Sequence, residues 1–315
     1  MKTLTIKTKL RYRDDVFKLF YISQETRLPI LLLGPPGTGK TQAFIDYAKS
    51  VNNGNLFIKQ MNFDTRWEDL IGYLSLPKLK DGIIERINGI QDATYVLMDE
   101  IDKTSTSVRN LILSILREKQ IFDGGRIVDC NWKLFVGTTN KEEFDEEDLP
   151  FLDRFVLKLR LDRVGPAKAQ DLLSTDIDRE VIINIVNIDD KKLETAIKIF
   201  EKIIPDIYNL ISDRTLSYFP SLIKALLSIN DNDISKSIMD SLGYTLGVRK
   251  AASLANKIGI SNNIIKAKEL ANAYKNATDD SSKAIIVGKL VELAKKAKQE
   301  EAKEIKEIVN KVINL

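Results

Sequence analysis

Eight residues, "GPPGTGKT" at 34 to 41, stand directly behind the apolar run "PILLL" and constrain this chain more than any other feature. Gly34, Gly37 and Gly39 open backbone conformations that side chains forbid, so successive amide N–H groups can turn inward around an anion. The spacing is that of G-x-x-x-x-G-K-[ST]. In that pattern Lys40 reaches the β and γ phosphates, the Thr41 hydroxyl ligates Mg²⁺, and the helix behind them presents its positive end to the same charge. Pro35, Pro36 and Thr38 complete the cradle. Residues 29 to 33 read as a short buried strand, and "TQAFIDYAKSV" sets Ala43, Phe44, Tyr47, Ala48 and Val51 at helical spacing.

Other segments extend this frame. "NLFIKQM" (55 to 61), "ATYVLMDE" (93 to 100), "WKLFVGTTN" (132 to 140) and "FVLKLRL" (155 to 161) read as strands, while "WEDLIGYL" (67 to 74) reads as a short helical segment. "SVRNLILSILREKQ" (107 to 120) carries Val108, Leu111, Ile112, Ile115 and Leu116 on one helical face. "SLPKLKDGIIERINGI", punctuated by Pro77, Gly82 and Gly89, reads as a hairpin. Strands alternating with helices predict a parallel sheet covered on both faces. Past Gly165 and Pro166 the pattern turns helical almost to the end, which predicts that the α/β domain closes near residue 163.

The bulk numbers narrow the chemistry. In 315 residues there is room for about two domains with a real core, and 48 Lys and Arg against 45 Asp and Glu argue neither for nor against nucleic acid. Cys130 is the single cysteine, so an intramolecular disulfide is excluded and a reducing compartment is expected. The amino-terminal stretch "MKTLTIKTKLRYRDD" lacks the apolar core of a signal peptide, and no apolar run approaches the roughly 18 residues of a membrane span, so the expectation is a cytoplasmic protein without a membrane partner. Histidine is absent, which leaves any hydrolysis to carboxylates and Mg²⁺.

"YVLMDE" supplies the acids. A strand that ends in Asp99 beside the phosphate loop offers an oxygen to Mg²⁺, and Glu100 is placed to orient and deprotonate an attacking water. "LFVGTTN" ends in Asn140, which either hydrogen-bonds the γ-phosphate or the lytic water, or only caps the turn before "KEEFDEEDL".

With these three strand tips in order, the chain resembles the AAA+ ATPases: Gly34 to Thr41 look like the Walker A loop, Asp99 and Glu100 like Walker B, and Asn140 like sensor 1. More narrowly it resembles the MoxR-like branch of the helix-2-insert clade. "FDTRWEDLIGYLSL", the inserted "KLKDGIIERINGI", "MDEIDKTSTSVRNLILSILREKQI" and "LPFLDRF" are similar to successive segments of that branch. Asp102 and Lys141 depart from it, standing where relatives often have Asn and Pro. The resemblance implies a P-loop α/β core over residues 1–163, an α-helical lid over 164–261 and a helical C-terminal extension over 262–315. It implies that Arg154 in "LDRF" is an arginine finger and that Arg214 in "SDRT" is the sensor 2 residue, with Arg249 in "LGVRKA" as the alternative.

The same resemblance implies an enzyme that uses ATP and Mg²⁺, hydrolyses ATP at the subunit interfaces of a homo-oligomeric, hexameric ring and remodels a protein substrate. A von Willebrand factor A domain partner in trans is often part of such systems. A nucleic-acid-directed motor or GTP-using restriction-type subunit is the rival, supported by Lys2, Lys7, Lys9, Arg11 and Arg13 in the amino terminus. A nucleotide-dependent scaffold without hydrolysis is a third reading, and the intact set Lys40, Asp99, Glu100, Asn140 and Arg154 speaks against it. In the last segment Ile286, Leu290, Leu293, Ala297, Ile305, Ile308, Val312 and Leu315 form an apolar stripe, read as a helical pair or bundle, with a partner-binding coiled element as the alternative.

Overall fold

Five apolar segments of the sequence meet in one sheet, and their order sets where the phosphate loop lies. The computed structural model describes residues 2–51, 54–83, 85–123, 125–141, 144–145, 148–165, 178–247, 250–251, 253–254, 267, 270–271, 274, 280–297, 302, 305–306 and 308–310. Its strands are β1 (Lys2–Thr8), β2 (Ile30–Leu33), β3 (Leu56–Gln60), β4 (Tyr73–Leu74), β5 (Arg86–Ile87), β6 (Tyr95–Asp99), β7 (Gln120–Asp123), β8 (Arg126–Asp129), β9 (Leu134–Thr139), β10 (Leu157–Arg160) and β11 (Arg179–Ile185). Five of them form a parallel sheet in the order β10-β2-β9-β6-β3. β9 is buried at every position, as expected of a central strand covered on both faces. β3 lies at the edge and alternates exposed with half-buried residues.

Each face of the sheet has its own core. On one face the helices Asp14–Thr26 and Lys40–Val51 pack Phe17, Phe20, Phe44 and Tyr47 against Leu32, Leu97 and Val136. On the other, the helix Thr106–Glu118 packs Ile112 and Ile115 with Trp132, Phe135, Phe151 and Phe155. Cys130 is buried in this second core, and burial pushes its thiol up to about 12, so it behaves as a small apolar residue.

The helix Asp213–Ile229 serves two cores. Leu222 and Leu226 join the first, while Phe219, Ile223 and Leu227 pack with Phe200, Ile238 and Leu242 from the helices Asp190–Glu201 and Ile234–Leu246. A smaller cluster gathers Ala267, Leu290, Ala294, Ile305 and Val309 around the helix Asp280–Lys296. Ile286, Ala297 and Ile308 of the expected stripe pack against it, whereas Val312 and Leu315 lie outside the described residues. No helix among the described residues is long and apolar enough to cross a membrane.

Two elements differ from the sequence expectation. The insert is not one long hairpin: β4 and β5 pair over two residues each, and a short helix, Leu76–Lys80, follows β4. Pro77 at its first turn accounts for that, since proline fixes φ where no helical N–H is needed. The helical reading beyond Pro166 also misses β11, which pairs antiparallel with β1 from Lys2↔Ile185 to Thr8↔Arg179. Its residues alternate in burial, Val181 and Ile183 facing the first core. A lid taken to begin at residue 164 therefore shares a ladder with the chain's first strand.

Candidate functional site

The parallel register brings the C-terminal ends of three neighbouring strands together, the place where open α/β sheets bind ligands. Leu33 of β2 stands beside Thr139 of β9, and β6 lies on the far side of β9 with Met98 opposite Gly137. Residues 36–41 of the loop, the acids 99–100 and Asn140 thus share one cavity of about 350 Å³, lined also by Gln42 and Gln60.

The loop's shape depends on its glycines. A Cβ on Gly34 would lie 2.2 Å from the Leu161 carbonyl oxygen, so any side chain there would displace the segment after β10. Gly39 has φ 87, and a Cβ there would also meet Leu10 at 2.9 Å. Within this loop the Thr38 hydroxyl donates to the Pro35 carbonyl at 3.0 Å.

Lys40 is only 6% exposed. Its ammonium donates to the carbonyls of Gly34 (2.7 Å) and Pro35 (3.0 Å) and to Oδ1 of Asn140 (2.8 Å). Burial lowers its pKa, and the charges of Asp99 and Glu100 oppose that fall.

The acids are held just as closely. Thr41 donates its hydroxyl to Oδ2 of Asp99 at 2.8 Å, and Thr138 donates to the other carboxylate oxygen. The same Thr138 hydroxyl accepts the Glu100 backbone N–H at 3.1 Å. Glu100 adopts φ 57, a left-handed conformation that turns its side chain off the end of β6. Its carboxylate accepts from Asn140 Nδ2 (3.1 Å), from Lys103 (3.0 Å) and, more weakly, from Gln60 (3.5 Å).

A hydroxyl and a carboxylate side by side form an oxygen pair suited to a hard cation that keeps further ligands from water and phosphate. Among the described residues no group of three or more His, Cys, Asp or Glu side chains forms an all-protein metal cage.

The two arginines nominated from the sequence stand elsewhere. Neither lines the cavity. Arg154 follows the short helix Leu149–Leu152 and meets Asp153 at 3.3 Å, while its Nε is buried with no acceptor among the described residues. Burial lowers its pKa, and the neighbouring Arg214 guanidinium adds to the fall. Arg214 lies in the first turn of the helix Asp213–Ile229, capped by Ser212, and its Nη1 is likewise buried without an acceptor among the described residues. Arg249 lies outside the described residues.

Lys141, which follows Asn140, reaches Asp145 (2.9 Å) and Asp148 (2.8 Å). Asp148 also accepts from Arg109 at 2.9 Å, and Arg109 lies over the Phe151 ring at 5.2 Å. Burial pushes the Asp148 carboxyl upward, but hydrogen bonds from Lys141, the Asp145 backbone N–H and Arg109 bring it net below the usual range.

Sequence reasoning missed Gln60, Lys103, Thr138 and Arg13. Gln60 was legible in principle, because it ends a strand in register with Asp99. Arg13 was grouped with exposed basic residues, yet it is 9% exposed and bonded to the phosphate loop.

The family profile described as the MoxR domain in the MoxR-vWA-beta-propeller ternary systems matches residues 2–197. The uncharacterized protein MJ0812 of Methanocaldococcus jannaschii is 29% identical over 231 residues, which are 70% of this chain and 59% of that protein. The chaperone protein ClpB of Blochmanniella floridana is 28% identical over 148 residues, 41% of this chain and 16% of its own length. The chain thus spans well under two thirds of these relatives. A solved structure of a candidate ATPase from Cytophaga hutchinsonii superposes with a TM-score of 0.54 at 20% identity, covering 76% of this chain and 82% of that one, and so shares its fold. A Walker-type strand-loop-helix, its paired acids and a family match that runs from the first strand into the helical half have one explanation: the chain belongs to the MoxR family of AAA+ ATPases.

Proposed function

We propose that the protein binds ATP with Mg²⁺ and hydrolyses the γ-phosphate at interfaces between subunits of a homo-hexameric ring, using the cycle to remodel a protein partner in the cytoplasm. The observation that carries this reading is the continuous network from Lys40 through Asn140 to Glu100, with Asp99 held between Thr41 and Thr138. The backbone N–H groups of residues 37–41 and the Lys40 ammonium would bind the phosphates, and Thr41 with Asp99 would hold Mg²⁺, which would supply charge neutralisation there. Glu100 takes the proton from water, and Asn140 fixes both the carboxylate and the phosphate side of that step.

Arg154 and Arg214 fit a role in trans. They are close enough to depress the Arg154 pKa and stand outside their own subunit's cavity, so together they offer two cationic groups to a γ-phosphate on a neighbouring subunit. The family description supports a von Willebrand factor A domain as partner. The insert and the β7–β8 hairpin are the natural contact surface. Tyr73, Leu76, Ile83, Phe122 and Ile127 are exposed there, and the Arg86–Asp123 pair, with contacts at 2.5 and 3.1 Å, joins the two elements. A nucleic-acid motor loses part of its support, because Arg13 is buried against the phosphate loop.

Lys40→Ala should abolish nucleotide binding, whereas Glu100→Gln should retain it and stop turnover, since only the first charge acts in the ground state. Calorimetric ATP affinity and steady-state phosphate release separate the two. Equal loss of binding in both variants would overturn the assignment.

A further inference from the structure

Arg13 precedes the helix Asp14–Thr26, and its side chain reaches three backbone carbonyls in three segments. Nε donates to Thr38 (2.9 Å), Nη1 to Tyr12 (3.1 Å) and Nη2 to Asp162 (2.9 Å). The residue is 9% exposed, and all its hydrogen bonds among the described residues go to carbonyls, so no carboxylate takes its charge at hydrogen-bonding distance.

The peptide unit makes the Thr38 contact consequential. A carbonyl and the N–H of the next residue point in opposite directions across a planar trans peptide. Fixing the Thr38 carbonyl on the guanidinium therefore fixes the Gly39 N–H on the opposite side of the loop. Gly39 has φ 87, and glycine at such a position samples many alternatives unless something restrains the peptide before it. The Asp162 bond extends the restraint, since Leu161 is the residue whose carbonyl closes against Gly34. One planar fork thus pins both ends of the phosphate loop.

We infer that Arg13 is a positioning residue for the phosphates, holding the amides of the loop in their anion-binding orientation before nucleotide arrives. This rests on the nucleotide reading above. Lysine cannot replace it, because an ammonium does not span three carbonyls in a plane.

The test compares Arg13→Lys, Arg13→Met and a destabilising control, Val16→Ala, in the core beside it, using ADP and ATP titrations with Mg²⁺, melting temperature and the ³¹P resonance of the β-phosphate of bound ADP. Arg13→Lys and Arg13→Met should weaken both nucleotides by roughly tenfold to a hundredfold, the range of a lost charged hydrogen bond, and should shift the β-phosphate resonance. Val16→Ala should lower the melting temperature with affinity and resonance unchanged. If Arg13→Met does not fold, Arg13→Lys decides alone. Wild-type affinity and an unshifted resonance in a folded Arg13→Lys would overturn the inference, as would an equal affinity loss in Val16→Ala. A wild-type protein that binds neither nucleotide would instead sink the nucleotide reading on which the inference stands.

Discussion

The phosphate side of the molecule and its arginine side are built to opposite standards. Around Lys40, Asp99 and Glu100 the donors and acceptors meet partners from the same chain, including three for the Lys40 ammonium. At Arg154 and Arg214 buried guanidinium nitrogens have no acceptor among the described residues, and the Arg214 charge adds to the fall that burial causes in the Arg154 pKa. Leaving a buried donor unpaired costs stability, roughly 1–3 kcal/mol and more for a charge. On the proposed reading the first surface is one half of a shared site, and the second awaits an anion from a neighbouring subunit.

The sharpest way to break this contrast is Arg154→Ala. It should leave ATP affinity near wild type and lower turnover by roughly 10³ to 10⁵, the scale of arginine fingers in phosphoryl transfer. Mixing it with Lys40→Ala subunits should recover some activity, because one interface can then pair an intact pocket with an intact finger. Mixed rings seen by native mass spectrometry that stay inactive would place Arg154 outside the reaction. Arg214→Ala should cost less, on the order of 10² to 10³ in rate, the loss seen when one oxyanion donor is removed. A change in ATP affinity without a change in maximal rate would assign Arg214 to ground-state binding instead.

Between the two surfaces lies Asp148, clamped by Lys141 and Arg109. Arg109 covers Phe151, whose carbonyl receives the Arg154 N–H at 3.2 Å, so this clamp links the residue after Asn140 to the Arg154 backbone. Asp148→Ala should destabilise the protein by roughly 1.5–3 kcal/mol, measured by denaturant unfolding. The folded carboxylate titrates below its unfolded value, so the clamp's contribution is complete above about pH 4 and is lost as the pH falls through the folded value. Asp148→Asn should flatten that part of the stability curve; an unchanged acid limb would show that the clamp contributes nothing. The smallest effect belongs to Arg86→Ala. Freeing the insert from Asp123, at a two-contact pair that is mostly buried, should cost about 1–1.5 kcal/mol and leave basal ATP turnover within about twofold. Faster amide exchange confined to residues 73–87 would support the latch, while exchange spreading into β6 would show the insert to be part of the core.

The parts legible in the sequence were those that repeat a backbone requirement. The glycines of the loop, the apolar runs of β6 and β9 and the polar residues at their tips each follow from local geometry, and the strands formed where those runs lie. What escaped depended on distant partners. β11 alternates correctly for a strand, but an alternation of Val181 and Ile183 ahead of the helix Asp190–Glu201 has meaning only beside β1. Arg13 was indistinguishable from Lys7 or Arg11 until the fold carried Thr38 to it. Lys103 sits three residues from Glu100, a spacing common on solvated surfaces, and its contact depends on the turn that Glu100 makes.

The pairing of β1 with β11 has a temporal side. The first strand spans residues 2–8 and its partner 179–185, so during synthesis at roughly 5–20 residues per second the earlier strand waits roughly ten to thirty-five seconds for its ladder. Throughout that interval its amides and carbonyls are open to any other extended segment emerging beside it. Lys2 and Lys7 lie on that strand, with Lys9 just beyond, and like charges of this kind are what natural edges carry to discourage wrong pairing. The basic character of this strand thereby reads as protection for a segment made well before its partner and paired late.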